Sequence, residues 1–245
     1  ATDGVVIEIA DGTVLSQPLH IVHVASGGTP AAMFTRSLLR LGRNTAATLV
    51  ESFVAADGAQ VYQAHDSLIV SIGDNARLDH VRLVEGSREA SNIASAYVTL
   101  GAHAHLNTFC MTSGGNVSRY QPTVLFAGEN SHVETNGVNL LNGRQHADTT
   151  VFMDHAVPHC SSREVFRAVV DDRAHSVFQG RIIVRPDAQK TDAKMMTRAL
   201  LLSDEAEADN KPELEIFADD VTCGHGATTG ALDESLLFYM RERGL

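Results

Sequence analysis

Hydrophobic positions along this chain come in short bursts. Aliphatic and β-branched runs occupy residues 5–9, 19–24, 48–54, 67–72, 78–84, 97–100, 124–126, 151–153, 165–170, 182–184 and 213–217, and most span four to seven residues. Gly, Asn and Asp lie between them, residues that tolerate the left-handed backbone of tight turns. The pattern predicts strands over nearly the whole length. Only residues 233–243 read as an amphipathic helix.

A weak repeat underlies the bursts. Gly73-Asp-Asn-Ala-Arg-Leu-Asp79 matches Gly128-Glu-Asn-Ser-His-Val-Glu134, with Gly101-Ala-His-Ala-His-Leu-Asn107 as a looser copy. The glycines are 28 and then 27 residues apart, a period that belongs to stacked repeats. One coil cannot bury its apolar side alone, so neighbouring coils share a continuous core. Each Gly is expected to turn a corner, the small residue to fit inside it, and the aliphatic to point inward. The fold predicted is all-β, a parallel β-helix over residues 1–232. A short C-terminal helix is expected over 233–245, as the start of a truncated helical segment. A jelly roll or cupin-type barrel is the rival, since it too consists of many short strands.

Composition fits thin, regular layers. Hydrophobic residues make up 44% of the 245, aromatic ones only 5%, and Trp is lacking, so Val, Ile, Leu and Ala must build the core. The formal charge of −11, without a basic cluster, argues against nucleic acid and against an anionic membrane surface. No apolar run reaches transmembrane length, and no signal peptide is recognisable. Cys110, Cys160 and Cys223 are odd in number and far apart, which excludes a disulfide framework and suggests a reducing, cytoplasmic setting. The start at Ala1 without Met, and the end directly after the helix, read as a piece of a longer protein.

Three segments hold candidate metal chemistry. Cys223-Gly-His225-Gly226 sets a thiol and an imidazole two residues apart, ligand types that suit iron, zinc and iron–sulfur clusters. On a strand the two would share a face; flanking glycines suggest instead a turn or exposed corner. A closed site needs about four ligands, so the others must come from elsewhere in the fold or from another chain. The bland alternative is a buried Cys beside a turn histidine. Asp154-His155-Ala-Val-Pro-His159-Cys160 is the second segment, and Pro158 disfavours the helix that would align its imidazoles. Its bland reading is a pair of hydrogen-bonded corner histidines beside a core Cys. In His103-Ala-His105, alternation would place both rings on one face, as in a cupin, but no carboxylate follows at the expected distance. His20 and His23 have no evident partners. Nucleophile elbows, zinc-protease motifs and nucleotide-binding loops are not found.

The stretch from Lys211 to Gly230, continued by Ala231-Leu-Asp-Glu234 and Leu237-Phe-Tyr239, resembles the signature of the SufD family of iron–sulfur cluster assembly scaffolds. The likeness extends over about residues 40 to 245, through Thr48–Glu51, Asn136–Asp148, Asp154–Ser162, Val177–Val184, Ala188–Ala193 and Leu200–Ser203. In the related SufB chains a Glu stands where this chain has Gly226, so the likeness is to SufD. Gly224 departs from the family, which usually has Ser there.

The resemblance implies a right-handed parallel β-helix without enzymatic activity of its own. It implies a complex with a SufB-like paralogue and a SufC-like ATPase, the β-helices pairing through their C-terminal rungs. His225 would help build a transient iron–sulfur cluster with the partner chain, and Cys223 would be an auxiliary ligand. The isolated chain need not hold the cluster, and by itself it is expected to form a homodimer. Helices flanking the β-helix in the family are missing here, so weak binding to the ATPase is expected. A β-helix enzyme acting on polysaccharide and a cupin-like metalloenzyme using His103 and His105 are the competing functions.

Overall fold

The computed structural model describes every residue except Ala1, Thr2, Gln60, Leu232 and Leu245. Both limits of the expected β-helix, Ala1 and Leu232, and the last residue of the expected helical segment thus lie outside the described residues. The strands are β1 (Val6–Ile9), β2 (Leu19–Ala25), β3 (Ala31–Leu41), β4 (Ala46–Ala55), β5 (Tyr62–Ile72), β6 (Arg77–Val84), β7 (Ser91–Leu100) and β8 (His105–Thr112). They continue as β9 (Val117–Phe126), β10 (His132–Leu141), β11 (His146–His155), β12 (Ser161–Val170), β13 (His175–Val184), β14 (Asp192–Leu201), β15 (Glu207–Ile216) and β16 (Thr222–Ala231), followed by α1 (Glu234–Glu242).

Odd strands form one eight-stranded sheet in the order β1-β3-β5-β7-β9-β11-β13-β15, and even strands form the other, from β2 to β16. Neighbouring strands within each sheet are parallel, for example Arg77↔His105 and His105↔His132. The chain is therefore a β-solenoid of eight coils, each contributing one strand to each sheet. A cupin barrel needs antiparallel pairs, so that rival architecture is overturned.

Period-2 alternation makes the core. In β6, Leu78, His80, Arg82 and Val84 are buried, while the residues between them are more exposed. The same phase on every coil stacks inward residues into rows along the axis. One row in the even sheet reads Ala47, Leu78, Leu106, Val133, Ser162, Ala193, Cys223. The next reads Leu49, His80, Thr108, Thr135, Glu164, Met195, His225.

The repeat marks one corner of the coil, with one correction. The small residues Ala76, Ala104 and Ser131 are buried as expected, and so are the aliphatics Leu78, Leu106 and Val133. The left-handed backbone, however, falls two residues after each Gly, at Asn75 (φ 57°), His103 (φ 55°) and Asn130 (φ 60°). Asn44, His159 and Lys190 continue this row. The glycines serve close approach instead: a Cβ on Gly128 would lie 2.0 Å from the backbone N of Ala102.

Strands are longer than the hydrophobic bursts, commonly ten residues, and β3, β8, β10, β14 and β16 fall outside the predicted runs. In β8, β10 and β16 polar residues or glycines interrupt the apolar positions, as in Thr-Cys-Gly-His-Gly of β16, and in β3 and β14 Thr, Arg, Ser and Lys do so. In a solenoid the neighbouring coil supplies the template, so weak intrinsic propensity is overridden. The helix forms as expected. Asp233 caps it, its Oδ1 accepting from the Leu236 amide at 3.0 Å.

Candidate metal-ligand site on the terminal strand

Cys223 and His225 lie on β16, the last strand of the even sheet. The expected turn around His225 is not there. The segment is extended and pairs in register with β14, Ala193 opposite Cys223 and Met195 opposite His225. Because Ala193 and Met195 are buried, both site residues stand on the inward-facing side. They end two rows that elsewhere are covered by the next coil, which leaves Cys223 partly buried and His225 exposed.

The flanking glycines face outward. A Cβ on Gly226 would come within 2.8 Å of Met196 Cε, whereas one on Gly224 would meet nothing within 4 Å. A shallow groove of about 320 Å³ crosses the strand here, lined by Val165, Met196, Gly224 and Gly226 together with Cys223 and His225. Burial raises the Cys223 thiol above its ordinary pKa, partly offset by a hydrogen bond from the Ala193 backbone. The thiol is therefore protonated at neutral pH, and binding a metal would require it to lose that proton. One thiol and one imidazole on an open strand make half of a four-ligand site.

The second histidine segment is structural. His155 is fully buried, stacks on Phe126 at 4.1 Å and hydrogen-bonds through Nε2 with Ser162 Oγ at 3.1 Å. Burial depresses its pKa to about 4, so the ring is neutral. His159 takes the left-handed corner position, and Cys160 fills the small-residue slot inside the corner. His103 and His105 do not share a face of one strand. His103 sits at the corner, and His105 opens β8, 6.0 Å from the ring of His132. His20 hydrogen-bonds with Ser52 Oγ at 2.9 Å.

Two interior features escape the sequence reading. Glu164 is 1% exposed, and neither carboxylate oxygen has a hydrogen-bond partner; burial pushes its pKa up to about 8. Toward the other end, Glu51, Asp66, His80 and Arg82 form a buried polar cluster with His23 at its edge. Nothing in local spacing marks it, because its members come from β2, β4, β5 and β6.

The fold defines the class: a two-sheet parallel β-solenoid whose last strand carries a thiol and an imidazole on one face. The family model described as "SUF system FeS cluster assembly, SufBD core domain" matches residues 23–245. The chain belongs to this SufBD family. It is 32% identical over 242 residues to the iron-sulfur cluster assembly protein SufD of Escherichia coli, covering 98% of this chain and 57% of that protein. A SufBD family protein of Synechocystis is 31% identical over 254 residues, with 100% and 56% covered. The chloroplastic protein ABCI7 of Arabidopsis thaliana is 33% identical over 203 residues, with 80% and 42% covered. The chain spans about half the length of the curated relatives it matches. Family membership ties it to iron–sulfur cluster assembly.

Proposed function

We propose that this chain is the β-solenoid part of a non-enzymatic scaffold subunit, working in the cytoplasm with a SufB-like paralogue and a SufC-like ATPase. The ATPase activity belongs to the latter, held through helices that the family resemblance sets after the solenoid. The terminal coil pairs with the paralogue, or with a second copy of itself when alone. Across that junction His225, with Cys223 beside it, contributes to a nascent iron–sulfur cluster, which is cargo and not a resident cofactor.

One observation carries this reading. Cys223 and His225 stand on the same face of a strand with one open edge, and among the described residues no third ligand-type side chain joins them. An edge strand pairs readily with another chain, and a heterologous or two-fold contact there would bring in the missing ligands.

The test uses the native-length protein, co-expressed anaerobically with its SufB-like and SufC-like partners, with and without His225→Ala. The expected result is equal complex yield, with cluster absorbance lost in the variant. Equal cluster absorbance in both would remove His225 from the site and reduce the chain to holding its partners together.

A further inference from the structure

The polar cluster near the opposite end of the solenoid has the makings of a second site. Glu51 and Asp66 bring two carboxylates into the interior with side chains 1% and 3% exposed, and Arg82, at 3%, is the cation between them. Its Nη1 lies 3.5 Å from Glu51 Oε2 and 3.3 Å from Asp66 Oδ2. Phe53 and Tyr120 hold the guanidinium in place, their ring centroids 3.9 and 5.0 Å from its central carbon. His80 lies between Thr108 Oγ1, 3.1 Å from Nδ1, and Glu51 Oε2, 2.9 Å from Nε2. The two carboxylates share a single guanidinium, with the His23 and His80 imidazoles beside them. Carboxylates this deep in a fold are held by pairing or by a bound cation.

The donors that remain point the same way. Glu51 Oε1 and His23 Nε2 are buried atoms without a hydrogen-bond partner. They face each other at 3.8 Å, too far for a hydrogen bond. Ligand bonds of about 2.1 Å place neighbouring donors roughly 3–4 Å apart around one ion. One ligand atom each from His23, Glu51 and Asp66 lie within 4.8 Å of one another. His23 and Asp66 also line a cavity of about 450 Å³ with Met33, Phe34 and Tyr62, which offers an entry path and room for water ligands.

We infer that His23, Glu51 and Asp66 form a binding site for a divalent first-row cation of the manganese–iron class. One imidazole nitrogen and two carboxylates, completed by water, suit that class, whereas a soft ion prefers thiolate. Arg82 and His80 occupy Glu51 Oε2, orienting the carboxylate so that Oε1 faces His23. Phe53 stacks on the His23 ring at 4.2 Å and 5°, fixing the direction of Nε2. The site stands at the far end of the solenoid from Cys223 and His225 and does not depend on their role.

The probe is Mn²⁺ in an anaerobic titration of the native-length protein, read by the loss of the free-ion electron paramagnetic resonance signal. One equivalent should bind saturably. His23→Ala changes a residue at the cavity edge that leaves the Arg82 pairs intact, and it should weaken binding at least tenfold. Asp66→Asn should do the same. The double variant Cys223→Ser/His225→Ala should bind Mn²⁺ as the native protein does. No saturable binding, or unchanged affinity in both His23→Ala and Asp66→Asn, would overturn the site.

Discussion

The carboxyl of Glu164 sits in mid-row between Thr135 and Met195, neither of which carries a charge. Burial moves its pKa from 4.5 to about 8. Between those values the folded chain keeps a proton that the unfolded chain has lost, so stability falls as pH rises and levels off above about 8. His155 acts in the opposite sense. Its pKa drops from 6.5 to about 4, so stability is lost as pH falls through that window. From pH 6.5 to 8, of these two groups, the slope belongs to Glu164. Thermal unfolding should show a decline of about 2 kcal/mol over that range in the native protein, at roughly 1.4 kcal/mol per pH unit. Glu164→Gln should flatten the decline; an unchanged slope would mean that the carboxyl is hydrated or paired in solution. Residue identity alone revealed neither group's state. His155 is visible as a candidate ligand, but its neutrality follows from Phe126 and Ser162, which only the coil stacking brings against it.

At the corners, a short pattern in the sequence translates directly into structure. Gly128→Ala drives a Cβ against backbone at 2.0 Å, and the backbone cannot swing aside as a side-chain tip would. Coil separation should cost about 3 kcal/mol or more in denaturant unfolding. Asn130→Gly should stay within about 1 kcal/mol of the native protein, whereas Asn130→Val should lose roughly 1–2 kcal/mol from the left-handed backbone. The reverse order of Gly128→Ala and Asn130→Val would show that φ, not close approach, governs the corner. Cys160 occupies the slot that Ser131 fills one coil earlier, where Ser131 Oγ donates to Gly101 O at 2.6 Å. Cys160→Ser has the equivalent acceptor in Gly128 O, so it should fold normally and leave cluster assembly unchanged. The repeat was legible because it is steric: a small residue, a close-packed Gly and an inward aliphatic must recur on every coil. Strands β8 and β10 were not legible, since Asn107, Thr108, Glu134 and Asn139 break the hydrophobic bursts and their pairing comes from neighbours. The Cys223–His225 pair stood out by ligand chemistry, but its glycines suggested a turn. Their outward-facing positions on a strand became evident only from the register with Met196.

On the scale of the molecule, a solenoid is covered along its length and open at its ends. Each coil contacts its neighbours, so stability is nearly additive along the axis and the end coils fray first. Apolar side chains stand exposed at both ends, Val6 at 72% and Val14 at 70% near the start, Phe217 at 59% and Phe238 at 65% near β16. Exposure by itself therefore does not choose between the ends as the partner surface. The proposal of β16 rests on chemistry, since the thiol and imidazole lie there, whereas His23, Glu51 and Asp66 sit at the other end as a more enclosed set. The spread of those three over β2, β4 and β5, on two sheets, is why no motif announces them. Hydrogen exchange of the native-length protein, free and mixed with its SufB-like paralogue, tests the central claim most directly. Amides across Thr222–Ala231 should become protected on complex formation as the open edge finds its partner. A stable complex in which β16 exchanges as fast as in the free protein would contradict it.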